Sequence, residues 1–110
     1  MTIRAVSYNI QYGFGLDGAY DLDRILAAVR EADVICLQEV TRGYPKNGGV
    51  DMAAEIAEAL PTHFSSFHPA ADVDAGSAIV DGRAVDRRFQ FGNMVLARWP
   101  LTAVRGHLLP

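Results

Sequence analysis

The heptapeptide VICLQEV, Val34 to Val40, sets four apolar residues before Gln38 and Glu39, the pattern of a short buried strand that ends in polar groups. Upstream of it, Ile25, Leu26 and Val29 recur at helical spacing opposite Arg24, Arg30 and Glu31, and Asp21 stands where a helix N-cap belongs. Before that helix comes a glycine-rich turn with Gly13, Gly15 and Gly18, and before the turn a segment, Ile3 to Ile10, that alternates with period two. Ile3, Ala5, Ser7 and Asn9 share one of its faces, and Arg4, Val6, Tyr8 and Ile10 the other. Two strands joined through a helix are parallel, connected in the right-handed sense and close neighbours in the sheet. Their carboxyl ends therefore bring Asn9 and Glu39 to the edge where open α/β sheets bind ligands.

Downstream, Thr41 to Gly49 reads as a loop broken by Pro45 and by Asn47-Gly48-Gly49. Met52, Ile56 and Leu60, with Ala53 and Ala57 alongside, predict a second helix from Asp51 to Leu60, stopped by Pro61. A weak strand from His63 to His68, a loop from Ala71 to Arg83, a strand from Arg88 to Arg98 and a last strand from Thr102 to Leu108 complete the expectation. The order is β-α-β-α-β-β-β, a mixed sheet with its helices on one face.

Composition agrees with a single soluble globular domain of 110 residues, 50% hydrophobic and 21% charged. A disordered chain would hold fewer apolar residues, and a membrane span would need roughly 20 in succession. No leader is expected, since the N-terminus turns polar at Ser7. The single cysteine, Cys36, cannot form an internal disulfide, and its apolar surroundings point to an inert buried thiol in a reducing, cytoplasmic compartment. Charge is unevenly placed: residues 1–82 balance to -7 and residues 83–110 to +4, together the net -3. That distribution argues against a simple electrostatic clamp on DNA and leaves room for a local anion site.

Asn9 and Glu39 are hard oxygen donors suited to Mg²⁺, which takes one or two protein groups and keeps waters for a phosphate to displace. At a strand end, the same Asn also suits a turn and the same Glu a solvated terminus. Three strings decide between these: SYNIQYG (Ser7 to Gly13), ICLQEV (Ile35 to Val40) and GNMVLARWPL (Gly92 to Leu101). In this order and at these separations they resemble the N-terminal half of the endonuclease/exonuclease/phosphatase superfamily, which includes DNase I-like nucleases, neutral sphingomyelinases and inositol polyphosphate phosphatases.

The resemblance implies the α/β, four-layer DNase I-like sandwich, with residues 1–110 as the N-terminal part of such a domain and about one half of it. It implies a metal-dependent phosphoester hydrolase with Mg²⁺, or Mn²⁺ in its place, as cofactor. Glu39 is then the metal-binding carboxylate, Asn9 supports the metal or the scissile phosphate, and Arg42 and Asn93 are substrate contacts. The substrate is a phosphoester of a nucleic acid, a lipid headgroup or a phosphoinositide. The family's remaining groups, a His or Tyr, an Asp-x-Asn pair and a terminal Asp-His pair, are not found before Pro110. The isolated chain is therefore expected to be inactive, with its open sheet face covered by a C-terminal half or by a second copy.

Two other readings stand beside it. Gly13-Phe14-Gly15-Leu16-Asp17-Gly18 fits G-x-G-x-x-G between a strand and a helix, as in a dinucleotide-binding module. Asp17, Asp21 and Asp23 crowd that helix start and would repel a pyrophosphate. The third reading is a non-catalytic interaction domain. His107 lies too early for the family's catalytic histidine, and His63 and His68 fall on opposite faces of their strand, so they do not share a metal.

Overall fold

In the computed structural model, which describes residues 2–108, the first strand β1 (Ala5–Asn9) leads through helix α1 (Leu22–Val29) into strand β2 (Val34–Arg42). Helix α2 (Met52–Ala59) follows, then strands β3 (Phe64–Asp74), β4 (Ala78–Val80), β5 (Arg83–Val85) and β6 (Arg88–Ala97). Met1, Leu109 and Pro110, the ends of the 1–110 domain assignment, lie outside the described residues.

Four strands form one sheet in the order β1-β2-β6-β3. β1 runs parallel to β2, as a helical crossover requires, and β6 is antiparallel to both β2 and β3. Both helices are capped as their sequences ask: Asp21 accepts from the Arg24 amide and Asp51 from the Ala54 amide, each at 3.0 Å. Ile35 and Leu37 of β2 alternate inward with Met94 and Leu96 of β6, and the buried stripes Ile25, Leu26, Val29 and Met52, Ile56 of the helices close over them. His63 is buried at the foot of this layer, its Nε2 donating to the Ala32 carbonyl at 2.8 Å while Nδ1 accepts from Thr62. It is a structural clamp.

Three expectations are corrected. The segment from Ala71 to Arg83 is not a loop: β3 continues to Asp74, and β4 and β5 form a hairpin about Asp81 and Gly82, both at positive φ. An Asp-Gly pair between short apolar runs is the signature of such a turn, and it is present in Val80-Asp81-Gly82-Arg83. Residues 102–108 form no strand. Both edges of β6 are already taken, and Gly106 passes over the His68 ring instead of running beside a free strand edge. Cys36 is half-buried, not buried, because it faces away from the helices between Ser7 and Val95.

The Tyr20 ring fills the space above Gly13, where a Cβ would overlap it, and its hydroxyl donates to Glu55 at 3.2 Å, joining the approach to α1 with α2.

Leu37→Ala is expected to cost about 2–5 kcal/mol in urea denaturation, since it opens a cavity against both helices. Tyr20 supplies a pH test: burial, with Glu55 adding, pushes its phenol from 10.0 up to about 12. A raised phenol favours the folded state below pH 10, and that advantage declines as pH rises from 10 to about 12. The stability of the wild type relative to Tyr20→Phe is expected to fall across that window; a gap independent of pH would show that the contact carries no proton linkage.

Candidate functional site

The register between β2 and β6 slips between Leu37 and Val40, so that Gln38 and Glu39 together oppose the single residue Asn93. This is a β-bulge, and it forces Glu39 to φ +60, a left-handed conformation that L-residues adopt at a cost of about 1–2 kcal/mol. Gln38 is tied down, its amide donating to Ser7 Oγ at 3.1 Å and to the Cys36 carbonyl at 3.2 Å. Among the described residues nothing donates to the Glu39 carboxylate, which keeps its oxygens for another partner.

β1 ends beside this bulge, with Asn9 paired to Gln38. Adjacent strands are about 4.8 Å apart, so the expected juxtaposition of Asn9 with the Gln38-Glu39 bulge is present. Asn9 also turns the chain, its Oδ1 accepting from the Gln11 amide at 3.0 Å. Turn-former and site residue thus coincide in one side chain. Gln11 and Tyr12 follow at φ +47 and +57, and the Tyr12 carbonyl is held by Asn47 Nδ2 at 3.1 Å. Asn47 is buried, also donates to Thr41 Oγ1, and leaves its own Oδ1 without a partner among the described residues. The Tyr12 ring lies 5.0 Å from that of Tyr44 and 5.5 Å from that of Phe91. Desolvation, with the nearby Glu39 and Tyr44 side chains adding, raises the Tyr12 phenol above its ordinary value.

The register sets Asn93 opposite His68 on β3, so Asn9, Glu39, Asn93 and His68 make a polar row across four strands. His68 is bonded to Ser66 at 2.8 Å. Arg42 is not in this row. Its guanidinium pairs with Asp51 at 3.0 Å and lies 4.7 Å over the Phe67 ring, toward the start of α2.

The glycine loop is closed on itself. The Gly13, Gly15 and Gly18 amides donate to Ile10, Ala19 and Gly15 carbonyls, so none is free to cradle a pyrophosphate. Arg24 covers Gly15 and pairs with Asp17 at 3.0 Å, and this hydrogen bond holds the Asp17 carboxyl down at about 2. Between this loop and Asn9 lies a cleft of about 560 Å³.

Among the described residues no three His, Cys, Asp or Glu side chains gather closely enough to cage an ion. The Asn9-Glu39 corner offers one carboxylate and one amide oxygen. That set fits Mg²⁺, which is commonly held by one or two carboxylates with waters and substrate phosphate completing its shell.

The sequence model of the endonuclease/exonuclease/phosphatase family matches residues 6–110. The crystal structure of an endonuclease/exonuclease/phosphatase from Beutenbergia cavernae superposes with a TM-score of 0.66 at 28% sequence identity, covering 93% of this chain and 27% of that one. The chain thus spans about a quarter of that relative's length. No curated protein matches it. No helix among the described residues is long and apolar enough to cross a membrane.

The strained backbone at Glu39 gives a stability test that needs no activity. Glu39→Ala keeps the left-handed penalty, whereas Glu39→Gly removes it and adds chain entropy to the unfolded state, for a net of about 1 kcal/mol in favour of Gly. Glu39→Gly is expected to melt several degrees above Glu39→Ala. Equal melting temperatures would show that the bulge relaxes without cost.

Proposed function

Because this chain belongs to the endonuclease/exonuclease/phosphatase family, we propose that it supplies, through Asn9 and Glu39, the metal-holding corner of a magnesium-dependent phosphoester hydrolase. The observation that carries the proposal is Glu39 itself: a carboxylate without a partner among the described residues, held in a strained bulge at the carboxyl end of a parallel strand pair. Strain kept at a strand end beside an unpartnered charge is the mark of a functional residue.

Glu39 would bind Mg²⁺, or Mn²⁺ in its place, with Asn9 beside it. When bound, such an ion neutralises phosphate charge and stabilises the departing oxygen. Asn9 and Asn93 present amide N–H groups, which suit the orientation of phosphate oxygens. Arg42 would reach phosphate only by exchanging Asp51 for it, so its direct part is the most conditional of the four. The open face of the sheet, with Val95 exposed between Cys36 and Ser66, is the surface that the remainder of a family-length protein or a second copy would cover.

Mn²⁺ titration followed by NMR tests the corner. Paramagnetic broadening is expected first at residues 9–12, 38–40 and 92–94 and is expected to be lost in Glu39→Gln. Broadening centred on Asp17, Asp21 and Asp23 instead would overturn the assignment. Turnover of a chromogenic phosphodiester with Mg²⁺ is expected to stay at the buffer rate for this chain, because groups that act as a unit lose nearly all activity when divided. Turnover abolished by Glu39→Ala would show that the residues present suffice.

A further inference from the structure

Beside the Asn9-Glu39 corner, four aromatic rings run in a chain, Phe91 to Tyr12 at 5.5 Å, Tyr12 to Tyr44 at 5.0 Å and Tyr44 to Phe89 at 5.1 Å. We propose that this array is a stacking ledge for a nucleobase of the phosphoester substrate, a subsite that rests on the reading of Asn9 and Glu39 as the phosphate-handling corner. The placement follows from the strands. Phe91 lies two residues from Asn93 on β6 and so shares its face, and Tyr12 follows Asn9 by three residues.

None of the four rings belongs to the buried core, and each is only half-buried. Successive planes are tilted by 41°, 46° and 42°, so the rings do not cover one another face to face. Tyr12 is moreover fixed: its backbone sits at φ +57, with its carbonyl clamped by the buried Asn47. A side chain presented from a strained and pinned backbone is preorganised for contact, and partly exposed aromatic faces next to a phosphate site are what sequence-tolerant base stacking uses.

The alternatives fit less well. An acyl chain asks for an aliphatic trough, whereas Tyr12 and Tyr44 carry hydroxyls. A long polyanion asks for a stripe of unpaired cations, but Arg42 and Arg88 near this end of the sheet are paired with Asp51 and Asp72, which among the described residues leaves Lys46 as the unpaired cation next to Tyr44. The ledge therefore favours a nucleotide or a short single strand, recognised by its base.

Isothermal titration of the 110-residue chain with AMP and with ribose 5-phosphate, both with Mg²⁺, measures the contribution of the base. AMP is expected to bind at least about tenfold more tightly. Tyr12→Ala and Phe89→Ala are each expected to reduce that ratio to threefold or less, with Tyr12→Phe retaining it. The two alanine sites lie at different points of the array, so loss of folding in one, read by circular dichroism, leaves the other to decide. Glu39→Gln is expected to weaken both ligands equally and leave the ratio unchanged. Equal binding of the two ligands, absent AMP binding, or tighter binding of glucose 6-phosphate or of dihexanoyl phosphatidic acid would overturn the ledge. A preserved AMP preference with neither affinity weakened by Glu39→Gln would instead retain the ledge and remove the corner.

Discussion

Strand β2 is hydrogen-bonded along both edges, to the parallel β1 and the antiparallel β6, and the rest of the molecule is arranged around that constraint. A central strand cannot drift, because a slip by one residue would turn Ile35 and Leu37 out of the helix-covered layer. The extra residue at Gln38-Glu39 is therefore absorbed locally, as a bulge, and Val40 returns to the buried position that the core requires. The unusual backbone of Glu39 follows from a well-fixed strand that must bury residues on both sides of it.

The same constraint explains why strain collects at one end of the sheet. Gln11, Tyr12 and Glu39 all sit at positive φ where the parallel pairing of β1 with β2 ends. At about 1–2 kcal/mol each, three such residues would take an appreciable share of the roughly 5–15 kcal/mol by which domains are stable. They persist because neighbouring contacts over-determine them: Asn9 caps the turn into Gln11, Asn47 holds Tyr12 from below, and Gln38 anchors the bulge to Ser7 and Cys36. Asn47 shows how far this goes, being buried with one amide oxygen unsatisfied in order to serve two other groups.

Much of this was legible in the sequence. The periods of Ile3 to Ile10, of the two helices and of Val34 to Val40 yield the parallel pair, and with it the meeting of Asn9 and Glu39. Arg42 shows the limit: its place relative to the row depends on register, and the bulge at Gln38-Glu39, three residues earlier, is invisible to a periodicity argument. The pairing with Asp51 depends in turn on a loop whose closure is set by an isolated bridge between residues 42 and 51. The aromatic array was missed for a similar reason. Tyr12, Tyr44, Phe89 and Phe91 are scattered over 80 positions of sequence, and only the β2-β6 pairing and the turn at Asn9 assemble them. The β4-β5 hairpin, by contrast, had its signal in Asp81-Gly82.

The folded structure also resolves the unequal charge of the two parts of the chain. Arg88 pairs with Asp72 at 2.9 Å and Arg98 with Asp33 at 3.1 Å, so cations of the basic C-terminal part face acids of the acidic N-terminal part. At the surface such pairs contribute little stability, about 0–1 kcal/mol each, but they neutralise Arg88 and Arg98 locally, and with a net charge of -3 the chain has little attraction for a long anionic polymer. A site built this way gains little from long-range attraction and must select its ligand at contact range. Contact-range selection needs fixed groups, and the end of the sheet supplies them: the Glu39 carboxylate beside the anchored Gln38, the Asn9 amide in its turn and the Tyr12 ring on a clamped backbone.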